Sequence, residues 1–68
     1  MDEEATAQMR QRLTELKSEH RDLDEVIARL AEQGSQDQLL VSRLKKRKLM
    51  LKDQIAAVEN ALVPDIIA

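Results

Sequence analysis

The sequence predicts an all-α protein, an antiparallel two-helix hairpin with coiled-coil-like packing that assembles into a helical bundle. Three observations carry this expectation. Apolar residues recur at three- and four-residue spacing in both halves of the chain, the heptad pattern of helices that share one seam. A polar stretch, "AEQGSQDQ", separates the two runs and holds the only glycine. The composition has no Phe, Tyr or Trp and is 35% charged, which suits extended helices better than an aromatic-centred core. At 68 residues the chain is a single domain, 1–68. A core this small seldom supplies more than about 3–5 kcal/mol without a staple. Cysteine is absent and there is one histidine, so disulfides and a multi-histidine metal site are excluded. Association is the staple that remains.

The first helix is expected over about 4–33. Its seam is Met9, Leu13, Leu16, His20, Leu23, Ile27 and Leu30. The turn falls at 34–35. Gly34 suits the left-handed position just beyond a helix end, and Ser35 with Gln38 forms a capping-box pattern for the next start. The second helix is expected over about 36–62, with the seam Val41, Leu44, Lys48, Leu51, Ile55, Val58 and Leu62. Pro64 blocks clean continuation, leaving an apolar tail, 63–68, that docks or frays.

The heptad keeps its phase across the break, so one unbroken helix in a parallel coiled coil is the competing architecture. That arrangement puts Gly34 and Asp37 in the seam, and Gly alone costs about 1 kcal/mol per strand in mid-helix. It also stacks Lys48 on its own copy and sets like charges against each other along the flanks. Folding back near Ser35 instead pairs Leu30 with Val41, Ile27 with Leu44, Leu23 with Lys48, His20 with Leu51, and Leu16 with Ile55. Each polar seam residue, His20 and Lys48, then meets a leucine. Flanking pairs become Asp24–Lys45 and Arg10–Glu59, attractive, and Lys17–Lys52, repulsive. An opened, domain-swapped form is the minor alternative.

The run "RLKKRKLMLKDQI" carries the chain's densest positive charge. Arg43, Lys45, Lys46, Arg47, Lys48 and Lys52 form a collar around the helix rather than a stripe along it, and no aromatic is present to stack a base. The hairpin register sets this run level with the acid-rich "EHRDLDE", so its first role is to fix register. Arg43, Lys45, Lys46 and Lys52 are the candidate phosphate contacts of the alternative reading, a nucleic-acid- or ribosome-associated protein. A weaker third reading, an amphipathic element at an anionic membrane, would use the same collar with Ile66 and Ile67.

No catalytic constellation is present. There is no nucleophile beside a base and no Gly-rich phosphate loop, and two helices offer no enclosed pocket to tune a pair of acids. His20 and Asp24 stand one turn apart but make two ligands at most, so no metal site and no cofactor is expected. His20 is read as a packing residue. Lys48 is read as a register-limiting polar residue whose stem lies along Leu23.

The surplus apolar residues are more informative. The outer positions of the first helix are polar, whereas the second still carries Leu39, Leu49, Met50, Ala56 and Ala57, followed by Val63, and near the loop Val26 and Leu40 add a flank. Leu39, Leu40, Leu49, Met50, Ala57 and Val63 are the expected partner interface, either with a second copy, giving a dimer or higher, or with a larger protein assembly. No stretch is apolar enough to span a membrane and the acidic start does not resemble a signal peptide, so a cytoplasmic location is expected.

The order of residues in "EHRDLDEVIARL" and "RLKKRKLMLKDQI" resembles the YdcH-like family of small bacterial proteins. The matching positions are His20, Leu23, Asp24, Ile27 and Leu30, then Leu44, Lys45, Lys46, Lys48, Leu49, Leu51, Lys52, Asp53 and Ile55. The resemblance runs from Leu13 to Val58 and omits the first residues and "VPDIIA". It implies a small cytoplasmic bacterial helical hairpin with no established biochemical activity and no catalytic residues to transfer. The functional expectation is a non-catalytic protein–protein interaction module or accessory subunit.

Overall fold

The structure, a computed structural model, describes residues 2–34 and 37–62. Within them lie two α-helices and no strand: α1, Glu3–Glu32, and α2, Gln38–Leu62. The helices pack against each other along their length. Cross-helix ion pairs join Lys17 to Glu59, Glu19 to Arg47 and Asp24 to Lys48. Residues early in α1 thus meet residues late in α2, which makes the hairpin antiparallel.

Both helix starts are set by aspartates. The Asp2 carboxylate accepts from the Ala5 backbone N–H at 2.6 Å, and Glu3 and Glu4 place negative charge in the first turn, where the helix dipole favours it. α2 begins at Gln38, later than the expected 36. The Asp37 carboxylate accepts from the Leu40 N–H at 2.9 Å, and the Asp37 carbonyl accepts from Val41. A carboxylate is an effective cap for the orphan donors of a first turn, so the helix starts after Asp37 and not after Ser35. Ser35 itself, like Gln36, lies outside the described residues. α1 ends as expected: Gly34 has φ of 66° and donates to the Ala31 carbonyl, while Gln33 donates to Arg29.

The core is the predicted seam. Leu16 and Leu51 are fully buried, each 1% exposed. Apart from Ala5 and Thr6, every other described residue that is not fully exposed is one of the seam positions named above, His20 and Lys48 included. Burial fades from the Leu16–Leu51 centre toward both ends, because a two-helix seam has no third element to close it. The expected apolar tail, with Val63, Ile66 and Ile67, lies outside the described residues.

Candidate interaction surface

The charge pairs that hold the register differ in detail from those expected. Lys48 leaves the seam beside Leu23 and its ammonium binds the Asp24 carboxylate rather than pointing into solvent. Asp24 is therefore taken by Lys48 instead of Lys45. The physical reason is reach: a four-carbon stem rising from the seam delivers its charge at the rim of the neighbouring helix. The hydrogen bond from Lys48 holds the Asp24 carboxyl below the usual carboxylate range, with the lysine's charge acting in the same direction. Glu59 meets Lys17 at 3.4 Å instead of Arg10, and this relieves the expected Lys17–Lys52 repulsion. On the opposite side of the hairpin, Arg47 donates to Glu19 at 3.4 Å. Two of these pairs, Glu19–Arg47 and Asp24–Lys48, fall within the two stretches expected to face each other.

Lys45 and Lys52 form no ion pair among the described residues. They lie seven residues apart on α2, about 10 Å along the axis and on one side of it. Together with Lys17 and Lys48 they rim an open groove of ≈ 740 Å³ between the helices. Its walls are apolar, from Ile27 on α1 and Leu49, Ile55 and Ala56 on α2; His20 and Glu59 also line it. A smaller concavity continues it toward the turn, sharing Ile27 and Lys45. The groove is a concavity that sequence reasoning did not anticipate. Its one carboxylate, Glu59, is well solvated and paired with Lys17, so no buried acid pair forms there.

The other expected interface residues are also at the surface. Leu39 is 64% exposed, Leu49 61%, Met50 48% and Leu40 40%, and Ala57 is exposed. The structure divides this set. Leu49 faces the lysine groove with Ala56, whereas Met50 does not line it. On the far side, Val26 and Leu23 line a shallow hollow with Glu19, Asp22 and Arg47. The candidate phosphate residues separate as well: Lys45 and Lys52 belong to the groove, and Arg43 and Lys46 do not line it. Val63 falls outside the described residues. Sequence periodicity had placed Leu49 and Met50 on one outward face. Adjacent helical residues differ by about 100° in direction, so Leu49 turns toward the groove while Met50 turns away from it.

His20 sits on the seam and lines the groove. Asp24, the acid one turn further along the helix, is engaged by Lys48. No group of three His, Cys, Asp or Glu side chains among the described residues could hold a metal ion. No described helix is long and apolar enough to cross a membrane.

The family model described as "Protein of unknown function (DUF465)" matches residues 13–59, more than half of the chain. The match covers the stretch on which the YdcH-like resemblance rests, and YdcH belongs to that family. No curated protein and no solved structure matches the chain.

Proposed function

The chain belongs to this family of proteins of unknown function, and from that premise we propose that it is a non-catalytic interaction module, an accessory subunit built on a helical hairpin. One observation carries the proposal: α2 keeps Leu39, Leu49 and Met50 largely exposed while the hairpin fully buries only Leu16 and Leu51 among its described residues. Large aliphatic side chains gathered on one helix of a small protein are the usual material of a helical interface.

The nucleic-acid reading is the less favoured. Lys45 and Lys52 line the groove while Arg43 and Lys46 do not, and the groove walls beside the lysines are aliphatic. A phosphate backbone gains nothing from an aliphatic wall.

Sedimentation equilibrium over a range of concentrations, with and without cell extract, tests the proposal. It expects a mass above 7.8 kDa that rises with concentration, or a defined complex formed with an extract component. A concentration-independent monomer whose sedimentation is unchanged by extract overturns it.

A further inference from the structure

The interaction surface proposed above has one part whose chemistry specifies its occupant. We propose that the lysine-rimmed groove between α1 and α2 is the seat for a third α-helix, supplied by a different protein, with carboxylates flanking an aliphatic stripe. This rests on the reading of the chain as an interaction module and goes beyond it by naming the partner's chemistry.

Four features of the groove lead there. Its walls, Ile27, Leu49, Ile55 and Ala56, are aliphatic, and Leu49 is 61% exposed. Two of its rim lysines, Lys17 and Lys48, are neutralised by Glu59 and Asp24. The other two, Lys45 and Lys52, are unpaired among the described residues, so the groove carries surplus positive charge at its edge. Their separation of seven residues, about 10 Å, equals the rise between carboxylates at i and i+7 on a facing helix. The α2 wall runs from Lys45 to Glu59, about 20 Å, which accommodates three to four helical turns. A helix laid there would close the open side of the seam as the third member of a bundle, its aliphatic stripe on Leu49 and Ile55.

A second copy does not supply that helix. The outward face of α1 has acids, Glu15, Asp22 and Glu25, but its exposed large aliphatic is Val26 alone. The outward face of α2 is aliphatic but is flanked by Arg43 and Lys46, which would oppose the groove's own lysines. Neither described helix offers an outward face that combines acids with large aliphatics, so the combination points to a different protein.

The test uses the full-length protein and two labelled amphipathic peptides of about 20 residues. Both carry the same leucine stripe; one has Glu at i and i+7 on its flanks and the other has Lys there. Fluorescence anisotropy is expected to show the Glu peptide binding about tenfold tighter than the Lys peptide, the size two partly exposed ion pairs confer. The Lys45→Glu/Lys52→Glu double variant, with helix content checked by circular dichroism, is expected to reverse that preference. Reversal by the charge-swapped pair cannot arise from unfolding. Equal affinity for the two peptides, or no binding of either, overturns the inference. So does tighter, steeply salt-dependent binding of a random DNA duplex, or loss of self-association in the double variant, which would make a second copy the occupant. None of these outcomes removes the interaction-module reading itself, which fails only if the sedimentation experiment finds an inert monomer.

Discussion

The two helices contribute alike to the seam and differently to the surface. α1 confines its large apolar residues to one stripe, with Val26 the single large aliphatic left exposed. α2 completes the same stripe and then carries Leu39, Leu40, Leu49 and Met50 outside it. Its apolar residues are spread around the axis, so it is the less amphipathic of the two. A helix with a single stripe is satisfied by one neighbour, and α1 has its neighbour in α2. A helix with a stripe and further large apolar residues outside it has surface that one neighbour leaves uncovered. The asymmetry locates the hairpin's stability in what the helices share, and the binding proposed for it in what α2 has alone.

The sharpest way to break this comparison is to damage what is shared. Leu16→Ala and Leu51→Ala each remove a side chain that is 1% exposed, and each is expected to cost about 2–5 kcal/mol. That is comparable with the whole stability of a domain this small. Thermal melts followed by circular dichroism should show both variants largely unfolded at 25 °C. If one helix tolerates the loss and the other does not, the seam is not equally shared.

A smaller effect is expected at the joint between the helices. Gly34 has φ of 66° and open space around it, so an added Cβ meets backbone strain and no neighbour. Gly34→Ala is expected to cost about 1 kcal/mol, and Gly34→Asn distinctly less, because Asn tolerates the left-handed region. Chemical denaturation that ranks Asn below Ala would contradict this.

Changing what α2 has alone should leave the hairpin's own stability nearly untouched. Leu39→Gln and Met50→Gln are expected to shift it by no more than about 0.5 kcal/mol, as exposed substitutions do. The same variants should lower the solution mass or weaken partner binding. A large fall in melting temperature measured at a dilution where the protein is monomeric would show that these side chains serve the fold rather than a partner.

The smallest effect lies in the cross-helix charge pair. Lys48 holds the Asp24 carboxyl below its ordinary value, so the pair stabilises the fold above the unfolded carboxylate's titration near pH 4. That contribution fades as the pH falls through the depressed folded value. Asp24→Asn should therefore melt slightly below the parent at pH 7, and the gap should close toward pH 2. A gap of constant size across this range would show that Asp24 acts through packing and not through its charge.

Much of the fold was legible because the heptad is a local, repeated signal. Spacing alone named His20 and Lys48 as seam positions, and they share the partial burial of their apolar neighbours. Gly34 announced the end of α1 because few other residues accept its backbone conformation. The start of α2 is ambiguous in the sequence because Ser35 and Asp37 are both good caps; the capping-box spacing favours Ser35, and the structure caps the helix with Asp37. The Asp2 cap is legible on the same rule. The ion pairs were not legible in detail. Heptad letters fix where a stem begins, while lysine and arginine choose among several acids within reach of a long flexible chain.

The sequence by itself determined the helices, their antiparallel seam and the surplus of aliphatic side chains on α2. These follow from periodicity, and periodicity is written residue by residue. Only the tertiary structure decided that Leu49 lines a groove and Met50 does not, that Lys17 and Lys48 are neutralised while Lys45 and Lys52 are left with their charge, and that a groove joins those lysines to Ile27 and Ile55. A groove is a property of two surfaces brought together, and its charge is the remainder after neighbouring groups have paired. Neither quantity exists until the helices meet.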